Sequence, residues 1–452
     1  MAPRVTSEAW EFTGEEVVQN MSRAGQLTLD LDFAGERTDY ANHAIHSYSA
    51  KFPPQLAAWA IQQYTSTGET VLDPMLGSGT TLVEARRLGR NALGADIDPL
   101  ARLLSRAKSN PPAPHQLAAA ARRLLCIVEA DLQRLRMGSR PAIPMPVPDF
   151  PNLEYWFFPE TIQELALLKA RIMEIDPSPV RDTLLVAFSS LIITKGKRSV
   201  ANVADLAHSR PHRVEPETPP DVLLLLRQRL KKLQSATERF WDACVTDTYA
   251  RVIGADARSM ALPDESVDLV FTSPPYVNAI DYPRAHKFSV FWLAEALGIS
   301  SVEYSELGRK YIGTDRVPLD ECRQRVGGAR FDLELLDHSI AQLSAIEERR
   351  AGVTHRYFAE IQAVLAESAR VIRRGRRVVF VVCPSVIARV EIPTHRIIAE
   401  VGESLHRISG YTLEWEETIE RTLDDSKRQL PILRGRFGPG MRTEYVVVMR
   451  KP

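Results

Sequence analysis

Two stretches of this 452-residue chain carry residue types at spacings that suit chemistry. The first is Ser273-Pro274-Pro275-Tyr276, one threonine beyond the apolar run VDLVF. The prolines fix φ and remove two N–H donors, so the local carbonyls are left to face something else. An exocyclic amino group on a nucleobase has two N–H bonds and needs two acceptors. The Ser273 hydroxyl and the Pro274 carbonyl supply such a pair. Accepting both hydrogens draws the nitrogen towards sp3 and frees its lone pair for in-line attack on a sulfonium methyl. Tyr276 offers a flat face to the ring. A base presented in this way has left its duplex, at a cost of roughly a few kcal/mol. Stacking on an aromatic offsets ~1–3 kcal/mol of that.

The second stretch is DPMLGSGTT, residues 73–81, between the strand-like ETVL and a helical pattern that starts near Thr80. Gly77 and Gly79 permit backbone angles that other residues resist, and they let a ligand approach the main chain. A nucleoside-triphosphate loop would end in Gly-Lys-Ser/Thr, and that lysine is missing. A dinucleotide fingerprint needs a third glycine, and Leu82 stands near its place. The next strand, NALGA, ends in Asp96, with Asp98 beyond it. An acid at the end of the second strand is where a ribose diol is held. These features point to a nucleoside with a zwitterionic tail, S-adenosylmethionine. The rival reading is a tight strand-to-helix turn with no ligand; Asp73, Thr80, Thr81 and the placed Asp96 favour the ligand.

Taken together, DPMLGSGTT, ADIDP and TSPPY resemble the amino-group DNA methyltransferases, which make N4-methylcytosine or N6-methyladenine. The resemblance covers residues 42–99 and 250–382. It implies that the glycine loop, with Asp73, Pro74, Gly77, Gly79, Thr80 and Thr81, and the acid segment, with Asp96 and Ile97, bind S-adenosylmethionine. It implies that Ser273, Pro274, Pro275 and Tyr276 are catalytic. HSYSAKFPPQLAAWAI resembles the family's segment at the methionine end of the cofactor, which implicates Lys51, Phe52 and Pro53. GADARSM resembles the third-strand motif and implicates Asp256 and Ala257 near the adenine. Serine before Pro-Pro is more typical of the cytosine-N4 enzymes, and Asp or Asn of the adenine-N6 enzymes. The implied substrate is double-stranded DNA, with cytosine N4 preferred over adenine N6. A cognate restriction endonuclease is an open partner. No metal is needed, because the sulfonium already activates the methyl. The segment order departs from the family's usual orders: a long insertion follows the second strand and precedes the third.

These residues need elements to position them. Strand, glycine loop, helix and strand over residues 69–99 read as a βαβ unit of the parallel α/β class. Pro53 and Pro54 open a helix through Leu56, Ala57, Trp59, Ala60 and Ile61. QLTLDLDF alternates like an edge strand. From about 100 to 250 the chain is Leu- and Ala-rich helix broken by proline clusters. Strands return in YARVIG, VDLVF, RRVVFVV and EYVVVMR. The expected architecture is α/β: a Rossmann-like methyltransferase sheet with helices on both faces and a large helical insertion. The expected divisions are 1–100 with the cofactor loop, 101–249 as the insertion, and 250–452 with the catalytic loop.

Formal net charge is zero, so a polyanionic partner must be met by local basic patches. Candidates for phosphate contact are Lys195, Lys197, Arg198, Arg210 and Arg213 in one run and Arg434 and Arg436 in another; solvated faces are the plain alternative. Asp281, Tyr282 and Arg284, just after the catalytic loop, either touch the extruded base or its strand, or start the next helix. The arginines of ARVIRRGRR are expected to serve a helix end and solubility. Four scattered cysteines make no CxxC pair, which suits a reducing cytoplasm. Cys383 ends a strand before its proline and reads as a buried small residue. His43 and His46 read as satisfied polar residues rather than metal ligands. No apolar run is long enough to span a bilayer. Two rival functions remain: an RNA base amino-methyltransferase, and a nucleic-acid-binding protein of the same fold without activity.

Overall fold

The computed structural model describes residues 31–33, 35–139, 141–149, 151–192, 200–203, 218–254, 256–277, 281–328, 330–422 and 443–452. Pro53 sits at φ −61° ahead of helix α1 (Pro54–Tyr64), which buries Leu56, Ala57, Ala60 and Ile61. Strand β1 (Thr70–Asp73), helix α2 (Thr80–Arg87) and strand β2 (Asn91–Ala95) form the parallel βαβ unit that the sequence leads one to expect. Six helices then follow: α3 (Pro99–Ser109), α4 (Pro114–Arg136), α5 (Leu153–Trp156), α6 (Pro159–Met173), α7 (Pro179–Ile192) and α8 (Val222–Ala243). Asp98 starts α3 by accepting from the Leu100 and Ala101 N–H groups.

Strand β3 (Ala250–Gly254) and β4 (Val267–Thr272) resume the sheet, and every residue of β4 is buried. Next come α9 (Tyr282–Trp292), α10 (Ala294–Leu297), α11 (Ser301–Leu307), α12 (Leu319–Val326), α13 (Glu334–Ile346) and α14 (Glu348–Val371). α14 passes directly into β5 (Ile372–Val382). A small hairpin, β6 (Ser385–Ile387) and β7 (Val390–Ile392), leads to α15 (Thr394–Ser404) and α16 (His406–Ser409). β8 (Glu414–Thr422) and β9 (Thr443–Arg450) complete the sheet.

The seven main strands run in the order β3-β2-β1-β4-β5-β9-β8. β9 is antiparallel to both neighbours, and the other pairings are parallel. Helices cover both faces, so the central parts of the parallel strands are largely apolar, while the arginines of β5 stand at its more exposed start. Leu72, Val270, Val378 and Phe380 face α14 and α15 through Tyr357, Phe358, Ile361 and Ile398. Val71, Leu269, Phe271 and Val379 face α1 and α2 through Leu56, Ala60, Leu82 and Ala85. The Rossmann-like α/β expectation therefore holds. From β1 the chain winds outward to β2 and β3, then returns beside β1 as β4 and winds the other way. That reversal makes a crevice at the carboxyl ends of β1 and β4.

The helices between β2 and β3 have a core of their own, in which Leu104, Leu124, Leu168, Phe188 and Leu226 meet Phe288 and Trp292 of α9. The helix after the catalytic loop is thus packed into this block.

Two expectations need correction. Most of QLTLDLDF lies outside the described residues, and its end, residues 31–33, is not strand. Leu31 packs into the core, and the Asp32 carboxylate accepts from the Thr422 N–H at 2.7 Å. Of ARVIRRGRR, Arg373, Arg374, Arg376 and Arg377 belong to β5 rather than to a helix end, and only Arg370 lies in the last turn of α14. Arg373 pairs with Asp268, Arg376 with Glu69, Arg374 with Glu265 at 3.4 Å and Arg377 with Glu416 at 3.0 Å. They neutralise carboxylates gathered where the parallel strands begin. Among the described residues, no helix is long and apolar enough to cross a membrane.

Candidate active site

The loops after β1 and β4 meet at the crevice because both strands end there side by side. They line a cleft of about 820 Å³, its open mouth included. Gly77 and Gly79 take φ of +49° and +78°, the left-handed region that side chains resist. A Cβ on Gly79 would lie 2.8 Å from the Ser105 Cα of α3, so this glycine also allows close packing of loop on helix. The Gly77 N–H donates to Asp96 Oδ2 at 2.8 Å, which ties the loop to the end of β2.

Asp73 is the hub beneath the two loops. It accepts from the Thr81 hydroxyl at 2.6 Å, the Thr272 hydroxyl at 2.8 Å and the Met75 N–H at 3.1 Å. It therefore joins the end of β1, the start of α2 and the residue before Ser273. Burial pushes its carboxyl up to about 6, against the pull of those donors. Asp96 goes further. Burial, then the nearby Asp98 charge, push it up to about 7, while the Asp98 and Gly77 N–H groups hold it back. Asp98 moves the other way: the charge and hydrogen bond of His286 overcome burial and lower its carboxyl.

Of the residues singled out from sequence, Lys51, Phe52, Pro74, Gly77, Thr80, Asp96, Ile97, Asp256, Ala257, Ser273 and Pro275 line the cleft. The others are not part of its lining. Pro53 caps α1. Asp73, Thr81 and Pro274 are buried. Gly79 packs on Ser105. Tyr276 turns its hydroxyl away, to Glu444. Asp256 pairs with Arg258 at 2.8 Å, and the same guanidinium reaches Glu360 at 2.9 Å on α14.

Tyr48 and Arg258 fall inside the quoted segments HSYSAKF and GADARSM but were not singled out there, while Lys310, Tyr311 and Ile312 carried no readable signal. For the segment after the catalytic loop, both alternatives have some hold. Asp281 starts α9 by accepting from the Arg284 N–H, and it pairs with Arg316 at 2.9 Å and Arg284 at 3.4 Å. Tyr282 instead turns into the cleft and stacks on Tyr48, with ring centroids 5.7 Å apart. One turn on, His286 bonds Asp98 at 2.8 Å. α9 thus clamps the segment after Tyr276 onto the start of α3. Lys195, Lys197, Arg198, Arg210, Arg213, Arg434 and Arg436 lie outside the described residues.

His43 bonds Glu84 at 2.7 Å and His46 bonds the Ser189 hydroxyl at 2.9 Å, so both are partnered side chains. Cys383 is buried just past β5, with its thiol against the Tyr276 hydroxyl and the Glu444 carboxylate. The cleft suits a nucleoside. Gly77 leaves room where a Cβ would crowd the Tyr48 ring at 3.3 Å, Asp96 stands at the β2 end, and Ile97, Ala257 and Pro74 offer apolar walls.

The chain is similar to known proteins. The N6/N4 DNA methylase family matches residues 3–104. The chain is 26% identical over 394 residues to type II methyltransferase M.MvaI of Kocuria varians, covering 82% of this chain and 83% of that protein. It is 23% identical to type II methyltransferase M.MjaII of Methanocaldococcus jannaschii, covering 64% of this chain and 68% of the relative. Type II methyltransferase M.BsoBI of Geobacillus stearothermophilus is 25% identical over 56% of this chain and 53% of its own length.

Proposed function

We propose, for a chain that belongs to the amino-group DNA methyltransferase family with S-adenosylmethionine as cofactor, that it methylates cytosine N4 of a base extruded from duplex DNA. The observation that carries the reading is that Ser273 and Pro275 open into the same cleft as Gly77 and Asp96. One acceptor for an amino group, on Ser273, and an acid for a ribose thus face one space. When bound, S-adenosylmethionine supplies an electrophilic methyl on a sulfonium. Asp96 accepts from the ribose hydroxyls, and Ile97 and Ala257 bracket the adenine. Ser273 and the Pro274 carbonyl accept the amino hydrogens and aim the nitrogen lone pair at the methyl. Tyr276 stacks on the extruded ring. The preference for cytosine over adenine rests on Ser273, since a hydroxyl polarises an amino group less than a carboxylate does.

The helices between β2 and β3 form the insertion of a three-part chain, with DNA contact supplied by Arg284 and the two basic runs. A cognate restriction endonuclease would cut the site that this enzyme protects. Labelled S-adenosylmethionine, unmethylated genomic DNA, bulk RNA and nucleoside mass spectrometry test the reading. N4-methylcytosine in the DNA digest is the expected result. N6-methyladenine overturns the base choice, and label confined to RNA overturns the substrate.

The Asp96 carboxyl sets a pH dependence. Ribose hydroxyls need an ionised acceptor, and a group that titrates at about 7 is largely protonated below neutrality. Cofactor affinity is expected to fall roughly tenfold between about pH 8 and about pH 6. Asp96→Asn flattens that slope at a lower affinity. Calorimetric titration across the range checks it, and a flat profile for the unmodified protein would remove Asp96 from the ribose.

A further inference from the structure

The catalytic tyrosine has a buried partner that the reaction as derived does not use. The Tyr276 hydroxyl donates to Glu444 Oε1 at 3.1 Å. Glu444 is the second residue of β9 and reaches the catalytic edge because β9 runs antiparallel to β5, with Tyr445 opposite Val382. Its register partner on β8 is Arg421, whose Nη1 lies 3.4 Å from Glu444 Oε2. The Arg421 side chain is only 3% exposed. Among the described residues, Arg421 Nε and Nη1 and Glu444 Oε2 have no hydrogen-bond partner. A buried, incompletely bonded ion pair is often less stable than an apolar pair of similar size. Something other than stability then favours the carboxylate here, and the group it reaches is the catalytic phenol. Burial, and then the Glu444 charge, raise the Tyr276 phenol well above its usual range, so it stays protonated and donates. The tyrosine as a whole is of intermediate burial, and its hydroxyl is anchored.

We propose that Glu444, backed by Arg421, is a positioning residue for Tyr276. It fixes the tilt of the ring before DNA arrives, so the extruded base meets a preset stacking face and its amino group falls against Ser273. An unanchored ring would have to be ordered during each encounter. This inference rests on the methyltransferase reading above.

The test compares full-length Glu444→Ala, Glu444→Gln, Tyr276→Phe and the Glu444→Ala/Tyr276→Phe double variant with the unmodified protein. The readouts are kcat, KM for S-adenosylmethionine, and emission from a duplex with 2-aminopurine at the target position, mapped from the methylated product. Glu444→Ala and Tyr276→Phe should each lower kcat about tenfold, with cofactor KM unchanged and brighter 2-aminopurine, since a loosely held ring quenches less. The double variant should be no worse than either single one. Glu444→Gln keeps an acceptor oxygen and should retain most activity. If Glu444→Ala does not fold, Tyr276→Phe removes the same bond and carries the test. Unmodified kcat and emission in Glu444→Ala or Tyr276→Phe, or additive losses in the double variant, overturn the positioning role while the methyltransferase reading stands. No transfer to DNA by the unmodified protein overturns both.

Discussion

Ser273→Ala is expected to bind S-adenosylmethionine as tightly as the unmodified protein and to lose methyl transfer by roughly a hundredfold to a thousandfold. The size follows from removing one preorganised polar group from a reacting centre. The separation of binding from chemistry follows from the geometry. Ser273 follows β4, whereas the residues proposed to hold the cofactor precede α1 or follow β1, β2 and β3. Asp73 ties the two sets through Thr272, not through Ser273, so losing the hydroxyl leaves the glycine loop in place. The deficit should lie in the rate of a single turnover with saturating DNA and cofactor. A variant that transfers methyl at the unmodified rate would show that the serine oxygen is not an acceptor in the reaction.

Asp73→Ala should be the most damaging change to the scaffold. Three donors, from Met75, Thr81 and Thr272, lose one fully buried carboxylate. Leaving buried donors unpaired costs about 1–3 kcal/mol per group, less where a hydroxyl turns to a new partner. A net loss of about 2–4 kcal/mol is expected, read as a lower denaturant midpoint with an unchanged slope. Cofactor affinity should fall with it, because the glycine loop and the end of β4 lose their shared anchor. Asp73→Asn keeps the shape and an acceptor, and the threonine hydroxyls can reverse, so its cost should be much smaller.

The asparagine variant also isolates a pH effect. Burial raises the folded carboxyl from 3.8 to about 6, so between those values the folded state holds a proton that the unfolded chain has released. The part of Asp73's contribution to stability that comes from this titration is therefore full below about pH 4 and lost as pH rises through about 6. Asp73→Asn should flatten that part of the profile. Equal midpoints for Asp73→Ala and the unmodified protein would mean that the three donors find other partners and that the hub is incidental.

Much of the site was legible in the chain because its grammar is local. Left-handed backbone at Gly77 and Gly79, the proline restriction after Ser273, the continuous apolar runs of the short buried strands and a proline at the head of α1 each depend on a few neighbouring residues. Asp96 could be placed because a β2 of five residues ends beside the loop that follows β1. The βαβ grammar and the apolar run of β4 were enough to put Ser273 at the ligand-binding edge of a parallel sheet.

Roles within the site were less legible. Asp73, Thr81 and Gly79 were grouped with the cofactor residues, and the structure shows them holding the glycine loop rather than lining the cleft. The contacts that place them join residues far apart in sequence: Asp73 to Thr272, Asp98 to His286, Glu444 to Tyr276. No period or short motif encodes such a pairing. It follows from which strand ends lie side by side, and thus from the strand order and from the reversed direction of β9. The sequence alone determined the kinds of groups present and the loops that carry them, since steric limits on φ and the periods of helix and strand act over a few residues. Only the tertiary structure decided which groups face the cleft and which hold those groups from behind, because that depends on the closure of distant segments around a shared core.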